Sequence, residues 1–193
     1  MDRAAAALSN QREAAILLFD LDRFKRINDT FGPLVGDRIV LEFSQRLRAV
    51  LAKKALIARL GGDEFGALLE HIEERQDVSV FADYWGALVS EPFAADEHEF
   101  FLTVSIGISL SPRDGQDAQT LLRNARSALK RAKCRGGNTH EFYTADMNAK
   151  ALERLTLESR LRRALEREEP RLFYQPQKDI ATGRIVGVEA LMR

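Results

Sequence analysis

Residues 59–65 read Arg59-Leu60-Gly61-Gly62-Asp63-Glu64-Phe65. They join two apolar runs, Ala55 to Leu60 and Phe65 to Leu69. Apolar runs linked by a tight glycine-bearing turn predict a β-hairpin. The turn carries two adjacent carboxylates, Asp63 and Glu64, directly behind two glycines. Asp and Gly are ordinary turn residues, so a lone Gly-Gly-Asp turn carries no chemistry by itself. What matters is what the rest of the chain brings to it.

Upstream, Ala14 to Phe19 is a continuous apolar run that ends in Asp20. It predicts a strand buried on both faces, with a carboxylate at its C-terminal edge. Asp22 follows two residues later. If this strand lies beside the hairpin, Asp20, Asp22, Asp63 and Glu64 converge on one spot. Hard oxygen ligands at a sheet edge suit Mg²⁺ (or Mn²⁺), which takes a few carboxylates plus phosphate oxygens. Gly61 and Gly62, with no side chains, let a phosphate approach the backbone. Carboxylates, glycines and a metal together suit metal-assisted phosphoryl or nucleotidyl transfer.

Downstream patterns supply the remaining elements. Gly36-Asp37 opens a helical stripe of Ile39, Val40, Phe43, Leu47, Val50 and Leu51. Val78 to Val89 reads as a helix stopped by Pro92. Leu102, Val104, Ile106, Ile108 and Leu110 alternate with small polar residues, a period-2 strand. Ala118 to Ala132 stripes another helix, ended by Gly136-Gly137-Asn138. Glu141 to Tyr143 is a short edge strand. The order β-α-β-β-α-β-α-β predicts an α/β (α+β) sandwich with a mixed, mainly antiparallel sheet flanked by helices. From Asp146 the composition changes. Met147 to Glu169 is charged and helical, with sparse apolar positions at Leu152, Leu155, Leu161 and Leu165. Pro170 closes it, and a strand-turn-strand unit follows with its turn at Thr182-Gly183. The expected organisation is a domain over 1–145, a linker helix over 146–170 and the start of another domain over 171–193.

Composition excludes several classes. Of 193 residues, 45% are apolar and 30% charged, which is globular. Twenty-nine Lys and Arg balance twenty-nine Asp and Glu, which argues against a long nucleic acid as ligand. The single cysteine, Cys134, allows no internal disulfide and fits a reducing cytoplasm. The longest apolar run is far short of the ~20 residues that span a bilayer. The expectation is a cytoplasmic segment with no membrane contact of its own, whatever anchors a longer parent.

Four separated stretches now carry a resemblance. They are residues 19–32 (Phe19-Asp20-Leu21-Asp22-Arg23-Phe24-Lys25-Arg26-Ile27-Asn28-Asp29-Thr30-Phe31-Gly32), Gly36-Asp37, residues 59–65, and Thr103-Val104-Ser105-Ile106-Gly107. In this order they closely resemble the GGDEF family of diguanylate cyclases, over roughly residues 3–144. The family fold is similar to nucleotide cyclase and polymerase palm domains. The resemblance implies that Asp20 and Asp63 hold two Mg²⁺ ions with the Leu21 carbonyl, and that Glu64 assists there. It implies that Asn28 and Asp37 bind the guanine edge, that Lys25 and Lys133 meet GTP phosphates, and that Gly61 and Gly62 admit the α-phosphate. The implied product is cyclic di-GMP, made by two domains face to face in a homodimer. Each residue also has a plainer reading. Asn28 and Asp37 are good helix caps, and Lys25 and Lys133 fit a solvated surface. Phe24, Phe31 and Phe43 read as core. His71, His98 and His140 are scattered and receive no role.

The sequence departs from the family pattern in places. Pro33 stands where the family usually has histidine. In the late motif Arg126 replaces an acid, Lys130 a tyrosine, and Gly137 an arginine that would help hold phosphates. Arg135 is the expected substitute for that arginine. The inhibitory Arg-x-x-Asp is replaced by Ala52-Lys53-Lys54-Ala55, so product inhibition by that route is not expected. The usual Leu-Thr-x-Leu-x-Asn-Arg lead-in is missing apart from Arg3, and the chain reads as an excerpt of a longer protein. Tyr174-Gln175-Pro176, Thr182-Gly183 and residues 187–193 resemble the opening of an EAL cyclic di-GMP phosphodiesterase domain. There Glu189 would be a metal ligand, non-functional without the rest of the barrel, so no phosphodiesterase activity is expected from this chain. Three functional readings remain at this point: an active cyclase, a GTP-binding regulatory domain with weak or no turnover, and a dimerisation scaffold with a vestigial pocket.

Overall fold

A computed structural model describes residues 13–51 and 55–193. The chain divides into two compact units, Met1–Asn148 and Ala149–Arg193. The first unit is built on a five-stranded sheet in the order β2-β3-β1-β6-β7. Its strands are β1 (Ala14–Leu21), β2 (Ala55–Gly61), β3 (Glu64–Glu70), β6 (Val104–Ser111) and β7 (His140–Phe142). β1 runs antiparallel to both neighbours, β3 and β6, and only β7 joins in parallel. The helices are α1 (Phe24–Phe31), α2 (Pro33–Leu51), α3 (Arg75–Val89), α4 (Ala118–Cys134) and α5 (Ala145–Glu166). A separate short hairpin pairs β4 (Phe93–Ala95) with β5 (His98–Phe100). The result is an α+β sandwich with a mixed, mainly antiparallel sheet between helices.

The apolar run of β1 is continuous because both faces are covered. Ala15, Leu17, Phe19 and Leu21 join the core with Ile39, Val40, Phe43 and Leu47 of α2 and Val78, Ala82 and Trp85 of α3. Ala14, Ile16 and Leu18 face the other way, onto Leu121, Ala125 and Leu129 of α4. Successive side chains of a strand point to opposite faces, so this is the burial that a central strand requires.

β6 reaches the same end differently. Its alternate small residues Ser105, Gly107 and Ser109 are buried as well, under α4. The buried Ser109 hydroxyl donates to the Leu121 carbonyl at 2.8 Å, so its polar group is satisfied within the protein. A β-carbon on Gly107 would lie 2.1 Å from the Ala125 carbonyl oxygen and 2.3 Å from the Leu129 nitrogen. These are backbone atoms of α4, which cannot swing aside. Gly107→Ala therefore forces helix and sheet apart, at a cost of about 3 kcal/mol, the upper end for an overpacked core. The expected result is a clear drop in the urea unfolding midpoint, and an unchanged midpoint would contradict this packing.

Several expectations shift. α2 starts at Pro33, not at Gly36, because proline fits the first helical position, where its missing N–H is no loss. α1 is an additional helix, and β4–β5 an additional hairpin. Phe24 and Phe43 are core, but Phe31 is 44% exposed and stacks edge-on against His98 and Phe100.

In the second unit, β8 (Leu172–Lys178) and β9 (Ile185–Met192) form an antiparallel hairpin. Neighbouring Leu172 and Phe173 point to opposite faces, and both are more than half exposed, as are Tyr174, Val186 and Val188. Among the described residues no helix is long and apolar enough to cross a membrane.

Candidate active site

The hairpin turn is Gly62-Asp63, and the β2–β3 register slips between Arg59 and Gly61. That bulge re-aims the strand end. Gly62 has φ +52°, a conformation that glycine adopts without strain. Arg59, at the other side of the bulge, donates through Nε and Nη2 to the Gly62 carbonyl at 3.0 and 2.8 Å. Its guanidinium braces the turn that presents Asp63.

β1 delivers the second carboxylate. Asp20 is the direct partner of Glu64 on β3 and of Ser105 on β6. The Lys133 ammonium, from the last turn of α4, stands 2.5 Å from Asp20 Oδ1. Burial pushes the Asp20 carboxyl above the usual range, Lys133 pulls it down, and the charges of Asp63 and Asp22 push it up again. Asp63 is therefore close enough to act on Asp20. Glu64 accepts from Arg126 of α4, through Nη2 at 2.8 Å and Nε at 3.1 Å on the same Oε1. Among the described residues no three His, Cys, Asp or Glu side chains form a metal cage by themselves. A carboxylate already paired with a cation, beside a second carboxylate on a glycine turn, could supply two donors to a divalent ion whose other ligands came from elsewhere.

Asp22 does not join this cluster. It accepts from Thr103 Oγ1 at 2.7 Å, Ser105 Oγ at 2.6 Å and the Asn138 N–H at 2.8 Å. It ties the end of β1 to β6 and to the turn after α4. That staple also accounts for Gly137. Its φ is +75°, and a β-carbon there would sit 2.8 Å from the Asp22 carboxylate, so the turn has no room for the arginine of the related motif.

The proposed base contacts lie on the two helices after β1. Arg23 precedes α1 with φ +60°, a rare value for a side-chain-bearing residue and one that clusters at functional sites. Asn28 sits inside α1 and Asp37 inside α2, so neither is a cap. A β-carbon on Gly36 would come within 1.8 Å of Asn28 Oδ1. Residue 36 is glycine because the Asn28 side chain lies against it, one residue from exposed Asp37. Asn28 Oδ1 is buried and accepts from no group among the described residues.

A cleft of about 940 Å³ opens beside Lys133, walled by Arg23, Arg26, Gly136, Gly137 and Asn138, with Glu99 and Phe101 opposite. Arg135 is not in it. It pairs with Glu141 and lines a different cleft with Arg75 and Arg131, so the compensation expected of it fails on placement. Arg23 and Arg26 do line the cleft beside Lys133. Lys25 is exposed on the first turn of α1. Glu189 lies on β9 opposite Gln175, in the second unit. Arg3 and Ala52, Lys53 and Lys54 of the replaced inhibitory motif lie outside the described residues. The contributions of Gly36, Arg59 and Arg126 were not readable from spacing, and Asp22, which spacing had grouped with Asp20, Asp63 and Glu64, instead accepts from Thr103, Ser105 and Asn138. Gly36 beside Asp37 and the acid-to-arginine change at Arg126 were the only signals.

Known proteins resemble this chain in sequence and fold. The family model of the diguanylate cyclase GGDEF domain matches residues 2–139. The bifunctional diguanylate cyclase/cyclic di-GMP phosphodiesterase MucR of Pseudomonas aeruginosa is 42% identical over 187 residues, 97% of this chain and 27% of that protein. The cyclic di-GMP phosphodiesterase NbdA of the same organism is 36% identical over 179 residues, 93% of this chain and 23% of that protein. The chain thus spans about a quarter of the length of these curated relatives. The solved GGDEF domain of YfiN (TpbB) from Pseudomonas aeruginosa superposes with a TM-score of 0.74 at 30% identity, covering 78% of this chain and 91% of that one. With the signature hairpin, the fold and the family match in agreement, this chain belongs to the GGDEF diguanylate cyclase domain family.

Proposed function

We propose that the first unit is a working diguanylate cyclase domain that binds GTP with two Mg²⁺ (or Mn²⁺) ions. The observation that carries this is the β1–β3 register, which sets Asp20 against Glu64 with Asp63 on the adjoining glycine turn. Asp20, Asp63 and the Leu21 carbonyl would hold the ions, which when bound polarise the α-phosphate and acidify the attacking hydroxyl. Gly61 and Gly62 leave the α-phosphate room at the backbone. Asn28 offers donor and acceptor and Asp37 accepts, a combination that suits guanine rather than adenine. Lys133 moves from Asp20 to a phosphate when the ions arrive, and Lys25 adds charge at the start of α1. Arg23 and Arg26 supply the guanidinium lost at Gly137.

In the reaction, the 3′-hydroxyl of one GTP attacks the α-phosphate of another. The new P–O bond replaces the bond to pyrophosphate, which leaves, and the hydroxyl proton goes to solvent or to Glu64. A second, reciprocal attack closes cyclic di-GMP. Each domain holds one GTP, so two copies face each other. Such a site belongs in the cytoplasm, where GTP is made. The domain would occupy residues 1–145, a linker helix 146–170, and residues 171–193 would open an EAL domain in which Glu189 would be a metal ligand.

The second reading, a regulatory GTP-binding domain, is favoured by Gly137 and by the hold of Arg126 on Glu64. Incubating the full-length parent protein with GTP and Mg²⁺ separates the two. Cyclic di-GMP in the products supports the cyclase. GTP bound with no product after long incubation overturns it in favour of the regulatory domain.

A further inference from the structure

Two cations of α4 reach the carboxylates of the sheet edge. Arg126 and Lys133 are seven residues apart, about two helical turns, and so lie on one face of α4. Lys133 takes Asp20 and Arg126 takes Glu64, and Asp20 and Glu64 are themselves direct partners across β1 and β3. Both Arg126 donors fall on a single oxygen, Oε1. The pair is open to water: the side chains are 59% and 26% exposed. Arg126 also stands where the related motif carries an acid. An acid there would repel Glu64 towards any cation at Asp20 and Asp63. An arginine does the reverse, drawing Glu64 onto α4 and offering its own charge.

We propose that Arg126 is a positioning residue that holds Glu64 away from the metal ions, so that this domain needs more divalent cation to fill its site than it would with a neutral or acidic residue at that position. The proposal rests on the metal-binding reading above. It differs from a mere brace between α4 and β3, which would leave ion affinity untouched. Solvent-exposed pairs are weak, so the effect is modest: about two- to five-fold in ion affinity.

The test is Mn²⁺ binding to the intact chain, read by electron paramagnetic resonance, with no turnover involved. Arg126→Asp is expected to tighten Mn²⁺ binding about five-fold and Arg126→Gln about two-fold, an exposed pair's worth. Arg126→Lys, which keeps the charge, stays near wild type. In the Glu64→Gln background Arg126→Asp gives little gain, because the coupling runs through Glu64. Equal affinity in wild type, Arg126→Gln and Arg126→Asp overturns the proposal while leaving the metal site standing. A gain that persists with Glu64→Gln overturns it too, since general charge is then the cause. No Mn²⁺ binding by wild type or by any variant overturns both the proposal and the reading beneath it.

Discussion

On the proposed reading, Asp63→Ala is expected to abolish cyclic di-GMP formation and to leave the protein folded. Asp63 sits on the two-residue turn of the hairpin and, among the described residues, makes no side-chain hydrogen bond that holds the sheet together. Its loss should not disturb the β1–β3 register. Its negative charge pushes the buried Asp20 carboxyl upward, so removing it relieves repulsion. The thermal midpoint should therefore stay level or rise slightly. Turnover behaves differently. An ion that neutralises the α-phosphate supplies several kcal/mol of transition-state stabilisation. Losing one of its two carboxylates should then cost about a thousand-fold or more in rate. Parallel measurement of product and thermal midpoint checks both halves. A variant within ten-fold of wild-type turnover would remove Asp63 from the metal site, and a collapsed midpoint would make it structural.

The second large effect is on base selection. Asn28→Ala removes the amide whose buried Oδ1 lies against Gly36, and with it one side of the proposed guanine contact. Leaving a buried donor or acceptor of the base unpaired costs about 1–3 kcal/mol, roughly ten- to a hundred-fold in GTP affinity. ATP binding should hardly change, because adenine does not offer the same edge. Gly36→Ala makes a sharper test, since it deletes no polar group. Its methyl would stand 1.8 Å from Asn28 Oδ1, so the amide must turn away. The two variants should lose GTP affinity to a similar degree. If Gly36→Ala binds GTP like wild type, Asn28 is not the base contact.

The central part of this molecule was legible because its signals are local. Ala14 to Phe19 is apolar without a break, and a strand that central to a sheet must be. The hairpin announces itself through two glycines between apolar runs. α1 was not legible, because only Phe24 of its eight residues is buried and no stripe forms. β4 and β5 are three residues each, too short for any period to show. In the site, Asp20, Asp63 and Glu64 could be named from spacing and resemblance. Their partners could not. Arg126 meets Glu64 across 62 residues, and Asn138 meets Asp22 across 116. Such contacts depend on strand register and helix phase. Arg135 shows the cost of ignoring phase: it follows the last turn of α4 and its side chain runs to Glu141 rather than into the cleft beside Lys133.

On the proposed reading, the hairpin and the two helices after β1 form one site, specific for guanine and dependent on a divalent ion. Calorimetric titration of the intact chain with GTP and with ATP, each in Mg²⁺ and again in excess chelator, tests it most directly. Expected are GTP binding in Mg²⁺, at least about ten-fold weaker binding of ATP, the minimum loss for one unmatched polar contact, and a marked fall in GTP affinity on chelation. Equal affinities for the two nucleotides, or GTP binding indifferent to the metal, would contradict it.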